Sequence, residues 1–196
     1  MKGQEQFMNA LQFAALKHRD HRRKNPAKSP YINHPIDVAH FLYSNGVRDW
    51  DALTGALLHD VLEDTETTYS ELQSVFGLGI ATIVSEVTDD KTISKFFRKS
   101  SQLYFLPFKS RNARLIKIGD KVSNTRDLLD NPPEMWSDLQ INGYLHWSMA
   151  ICQSIFLKND DIPKTLEQAT RDHFRSLGVE EVDETLLNDY MDSLPR

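Results

Sequence analysis

Residues 112–129 read NARLIKIGDKVSNTRDLL, and the rest of the chain can be read outward from them. Leu115, Ile116, Ile118, Val122 and Leu128 or Leu129 fall at the spacing of a helix with one inward face. Asn131-Pro132-Pro133 ends that helix, because proline cannot continue the hydrogen-bond ladder. Two residues do not suit its apolar face. Asp120 is a charge placed among aliphatics. Gly119 is a poor helix former there, which predicts that something approaches the backbone closely.

The same period continues to either side. Phe7, Leu11, Ala14 or Ala15, and Leu16 predict a first helix with one apolar stripe. After Asn25-Pro26 through Ser29-Pro30, a second helix is expected from Asn33, with Pro35 in its first turn, Ile36, Ala39 and Leu42 buried, and a stop at Gly46. Asp49 or Asp51 can cap a third, carrying Leu53, Ala56, Leu57, Val61 and Leu62. Thr68 or Ser70 begins a short helix ended by Gly77 and Gly79, followed by helices over 80–90 and 94–106, the latter stopped by Pro107. Downstream, 137–157 (Tyr144, Leu145, Trp147, Ile151, Ile155), 162–177 and 183–193 are helical. No alternating strand pattern appears, so the expected fold is an all-α helical bundle forming a single domain. Its core is expected over 1–157, with 158–196 a helical extension packed on it.

Of the 196 residues, 40% are apolar and 26% charged, enough apolar surface for a sizeable core. The net charge of -5 gives nothing global to attract nucleic acid or an anionic membrane, so a small anionic ligand would need a local basic patch or a metal. Cys152 is the only cysteine, which excludes an intramolecular disulfide. MKGQEQFMNALQF does not read as a secretory signal, and no run approaches the roughly 18 apolar residues of a membrane span. A cytoplasmic protein is expected.

Polar islands interrupt the helical core. Tyr31-Ile32-Asn33-His34-Pro35 sets an imidazole at the mouth of a helix. In Leu57-Leu58-His59-Asp60-Val61-Leu62-Glu63-Asp64-Thr65, a continuous helix would align His59 with Glu63 and Asp60 with Asp64. Burying such charges without compensation is costly, so a cation or a wet cleft is expected. Asp120 and Asn124 share a face of the 112–129 helix. Two histidines and two aspartates make a four-ligand set that leaves positions for water and substrate. Each part has a plainer reading taken singly. His34 alone would be a hydrogen-bonded core histidine, HRDHRRK (18–24) a solvated helix end, and Tyr144 and Trp147 core residues.

In combination the islands resemble a known family. An upstream His, a His-Asp pair after an apolar run and a distant Asp follow the order of HD domains. RRKNPAKSPYINHPIDVAH (22–40), GALLHDVLEDTETTY (55–69), EVTDDK (86–91) and ARLIKIGDKVSNTRDL (113–128) are similar to the hydrolase domain of the RelA/SpoT family. The resemblance runs over about residues 5 to 157 and is to the small alarmone hydrolases, such as the metazoan SpoT homologue. It implies one Mn²⁺ held by His34, His59, Asp60 and Asp120, with Glu63 and Asp64 orienting or deprotonating the attacking water. It further implies that Arg23 and Lys24 lie near the nucleotide, that Asn124 and Tyr144 line the nucleoside pocket, and that Lys95 touches phosphate.

The implied reaction is hydrolysis of (p)ppGpp at the 3′-pyrophosphate to GDP or GTP plus pyrophosphate, without synthetase activity, which belongs to a separate downstream domain. Two departures stand out: Met135 where relatives often have glycine, and Gln140 where they often have an arginine that could clamp phosphate. Other readings stay open: an HD hydrolase acting on NADPH (2′-phosphate removal) or a nucleoside monophosphate, and a non-catalytic nucleotide- or partner-binding module. A cyclic-dinucleotide phosphodiesterase would need further histidines for a two-metal site, and these are missing.

Overall fold

The computed structural model describes residues 2–133 and 135–196, and among them the regular structure is helical. In chain order the helices are α1 (Lys2–Lys17), α2 (Asn33–Ser44), α3 (Trp50–Leu58), α4 (Val61–Asp64), α5 (Tyr69–Val87), α6 (Lys95–Phe105), α7 (Arg111–Asp130), α8 (Asp138–Lys158), α9 (Lys164–Ser176) and α10 (Glu184–Asp192). A 3-10 turn, Leu106–Phe108, links α6 to α7. The all-α expectation holds. No described helix is long and apolar enough to cross a membrane.

Side-chain caps start most helices. Asp49, Thr68, Ser94, Ser110, Ser137 and Asp183 each accept a backbone N–H from the first turn that follows, satisfying donors a helix leaves unpaired. α7 is the central pillar, packed against α2, α3, α5 and α8, with Leu115, Ile116 and Ile118 fully buried. Gly119 shows why the pillar carries a glycine. A Cβ there would come within 3.0 Å of Val38 Cγ1 and 3.3 Å of Leu42 Cγ, so the element that approaches the backbone is α2. α1 packs on α3, and α10 on α8.

Several expectations are corrected. The buried stripe of α1 is Ala10 and Ala14, flanked by Phe7 and Leu11, whereas Leu16 faces solvent. On α2, Pro35, Val38, Ala39 and Leu42 turn inward and Ile36 outward. Gly77 does end a helical run, at φ +84°, but the chain resumes helix at once and carries it through Gly79 to Val87. The third helix does not continue through Val61 and Leu62. It stops at Leu58, and Asp60 takes φ -101°, ψ -3° before the short α4 begins. The break has a local reason. His59 Nδ1 lies 2.8 Å from the carbonyl of Ala56, so the imidazole caps the last turn of α3 instead of projecting along a longer helix.

Candidate active site

Three elements bring the buried polar residues together. His34 stands in the first turn of α2, His59 and Asp60 at the break between α3 and α4, and Asp120 midway along α7. One ligand atom each from His34, His59 and Asp120 fall within 4.8 Å of one another, all buried. Asp60 joins them, with Oδ2 3.0 Å from His59 Nε2 and 3.6 Å from His34 Nε2. The two Nε2 atoms face each other at 3.2 Å, and Asp120 Oδ1 is 3.4 Å from that of His34.

The outer bonds fix what these atoms offer. Each histidine has its Nδ1 engaged: that of His34 with Ser123 Oγ at 2.9 Å, that of His59 as donor to the Ala56 carbonyl. A histidine held as donor at Nδ1 presents a lone pair at Nε2. Imidazole lone pairs and carboxylate oxygens therefore converge on one small volume with little hydrogen to share, a donor set that suits a divalent cation. Nitrogen and oxygen ligands without thiolate fit Mn²⁺ among others. The titration of the cluster reflects burial working against the two carboxylates that draw positive charge to this volume. Burial depresses the pKa of His34. At His59 burial acts the same way, but Asp60 and Asp120 outweigh it and raise the pKa. Burial disfavours the Asp60 and Asp120 carboxylates; His59 and His34 for one, and Lys121 and Lys117 for the other, pull both below the usual range.

Next to the cluster stand Glu63 and Asp64, in different settings. Asp64 has both oxygens taken: Oδ1 accepts from Lys91 Nζ at 2.6 Å, and Oδ2 from the Tyr31 hydroxyl at 3.0 Å. The same single hydroxyl proton is shared with Asp60 Oδ2, the closer acceptor at 2.6 Å, so one phenol bridges the two aspartates. The expected Asp60–Asp64 alignment thus survives the helix break, while the Glu63 carboxylate turns to Asp89, whose backbone N–H it accepts at Oε2 over 3.2 Å. Burial raises the pKa of Glu63, only partly countered by that bond and by Lys117.

The cluster opens into a cleft of two joined compartments. The inner, about 240 Å³, is lined by Asp60 and Asp120; the outer, about 480 Å³, by Arg23 and Lys24; Glu63, Asp64, Asn124 and Tyr144 border both. Lys95 lines both, and His59 lies behind the wall. Asn124 donates to Asp120 Oδ1 at 2.5 Å and accepts from Arg23 Nη2 at 3.0 Å, and Arg23 also pairs with Asp127 at 2.8 Å. Gln140, at the position of the missing arginine, is spent locally, its side chain closing a capping box with Ser137.

Sequence reasoning passed over four contributors. Tyr31 was quoted only as the start of an island. Lys99, Lys117 and Lys121 are all buried, with Lys121 Nζ 3.1 Å and Lys117 Nζ 3.8 Å from Asp120 Oδ2. A signal existed for two of them, since Lys117 and Lys121 share the inward-facing stretch of α7 with Asp120.

The model of the family described as "HD domain" matches residues 10–140, spanning the whole cluster. The chain belongs to the HD-domain family. Among relatives of this HD protein is "Guanosine-3′,5′-bis(diphosphate) 3′-pyrophosphohydrolase MESH1" of Xenopus tropicalis, 44% identical over 76% of this chain and 84% of that one. The Homo sapiens protein of the same name is 42% identical over 89% of this chain and 96% of that one. A solved structure, described as that of a metazoan ortholog of SpoT that hydrolyzes ppGpp and plays a role in starvation responses, superposes with a TM-score of 0.81. It is 37% identical, over 89% of this HD protein and 96% of that chain.

Proposed function

We propose that this HD protein is a Mn²⁺-dependent hydrolase of (p)ppGpp that adds water across the 3′-pyrophosphate and yields GDP or GTP plus pyrophosphate. The observation that carries the reading is the convergence of His34, His59, Asp60 and Asp120 beside Glu63, at the inner end of a cleft whose outer end holds Arg23 and Lys24, with Asn124 and Tyr144 bordering both ends. The relatives' activity supports the same substrate.

His34, His59, Asp60 and Asp120 would hold the metal. When bound, it supplies Lewis acidity toward a phosphoryl oxygen and lowers the pKa of water. The protein's own groups divide the remaining work. Glu63 is the proton acceptor: its Oε1 accepts no hydrogen bond among the described residues, with Lys91 Nζ the nearby cation at 3.8 Å, and burial raises its pKa, which makes it a stronger base. Asp64 is held at both oxygens and acts as a positioning group, steadying Asp60 through Tyr31. Lys117 and Lys121 offset charge at the phosphoryl oxygens, while Arg23, Lys24 and Lys95 receive the nucleotide and its remaining phosphates. The water oxygen bonds to phosphorus as the bond to the 3′-oxygen breaks. One water proton passes to Glu63, whose acid form returns it to the leaving 3′-oxygen, which ends as a hydroxyl.

Asp60→Ala and Glu63→Ala test these roles. Both are expected to lose ppGpp hydrolysis while keeping the helical circular-dichroism spectrum; turnover retained by either would sink its assignment.

A further inference from the structure

Lys99, on α6, is a cation buried without an anion. The residue is 8% exposed, and its ammonium lies 3.3 Å from the centre of the Trp147 ring, 4.5 Å from that of Tyr144 and 5.3 Å from that of Tyr190. Its ammonium forms no ion pair or hydrogen bond among the described residues, and Asp89 and Asp120 act on it only from a distance. Ring faces offset part of the cost of removing a cation from water, but they accept none of its three N–H donors. Burial, with Lys121 and Lys95 nearby, holds its pKa well below 10.5, the mark of a charge this aromatic cage leaves under-compensated. A purely structural lysine would snorkel to solvent or find a carboxylate. Lys99 finds no carboxylate, and the space it lines is the cleft, in both compartments.

All three rings of the cage lie beyond residue 140, where the match to the family model ends. Tyr190 belongs to α10 and lines the outer compartment; its hydroxyl is buried and has no hydrogen-bond partner among the described residues. Its ring lies so close over Gly143 that a Cβ there would come within 2.3 Å of Tyr190 Cβ. The end of the chain is tied to the helix that carries Lys99, because the Phe96 N–H donates to the Pro195 carbonyl at 3.1 Å.

We propose that Lys99, caged by Trp147, Tyr144 and the Tyr190 supplied by α10, is a phosphoryl-binding subsite at the junction of the two compartments. The lysine meets an anionic phosphoryl oxygen there with charge-assisted hydrogen bonds, and the aromatic walls keep water from competing. That the phosphoryl group belongs to a nucleotide polyphosphate rests on the reading of the active site given above; that Lys99 takes a phosphoryl anion does not.

Inorganic pyrophosphate is the probe, titrated calorimetrically into the full chain in chelator, with Lys99→Met as the variant. Methionine keeps the length and apolar stem, so the fold is expected to persist. If circular dichroism shows otherwise, Lys99→Gln is judged by the same criterion. The expected result is an affinity at least about tenfold weaker than that of the parent, together with a raised KM for ppGpp; equal affinity overturns the subsite. A parent chain that binds pyrophosphate through Lys99 yet leaves ppGpp intact would overturn the assigned reaction and keep the subsite. Cleavage of ppGpp with KM unchanged in Lys99→Met would do the reverse.

Discussion

At the scale of the residue, the division between Glu63 and Asp64 has measurable consequences. Glu63→Gln keeps the shape and removes the proton acceptor. The expected result is a kcat lower by about 10²–10⁴ with metal content by mass spectrometry unchanged; a parallel fall in bound metal would show that Glu63 is a ligand instead. Tyr31→Phe removes only the hydroxyl that joins Asp60 to Asp64. Partners of that kind typically contribute about 10–100-fold in metal affinity or activity, so a loss in that range is expected in a Mn²⁺ titration. These roles were unevenly legible beforehand. His34, His59, Asp60 and Asp120 are polar residues in apolar helical surroundings, and that contrast is visible in one dimension. Tyr31 and Lys99 do not contrast with their neighbours. An aromatic before a helix and a lysine in a basic helix look ordinary until α8 and α10 bury the lysine and the phenol meets two aspartates.

At the scale of the element, helix starts were readable because caps are local: Asp49, Thr68 and Ser137 stand where short-range chemistry places them. The break between α3 and α4 was not readable. Leu53, Ala56, Leu57, Val61 and Leu62 keep helical spacing across it, and only the bond from His59 to Ala56 marks the interruption. Helices on both sides of the glycine pair in α5 were readable, and only the helical passage through Leu78 and Gly79 was hidden, for the opposite reason. A pair of glycines signals a stop, and tertiary packing of Ile80, Ala81 and Val84 overrides it. The contact of α8 with α10 can be tested at Gly143. In Gly143→Ala the new methyl meets the Tyr190 ring, and overpacking of this kind costs about 1–3 kcal/mol. Urea denaturation should show a loss in that range; an unchanged midpoint would mean that α10 is not seated as described.

At the scale of the whole molecule, the chain carries a net charge of -5, yet Lys95, Lys99, Lys117 and Lys121 are gathered within one cleft. Two histidines outside the candidate ligand set, the buried His18 beside Tyr31 and the half-buried His173, give the fold a pH signature. Burial lowers the pKa of both His18 and His173 from 6.5 to about 4. An unfolded chain takes up protons at these imidazoles as pH falls through 6.5, whereas the folded chain does so only near 4. The unfolded state therefore binds more protons across that window, and stability must fall with falling pH. The melting temperature of chelator-treated protein is expected to drop between pH 6.5 and 4, less steeply in His173→Gln; equal slopes would contradict the assignment to His173. The most direct test of the catalytic reading follows the products of metal-stripped protein incubated with ppGpp, with and without Mn²⁺. One pyrophosphate per GDP, formed only when Mn²⁺ is present, is the predicted result; orthophosphate in its place, or no release from a folded chain, would contradict it.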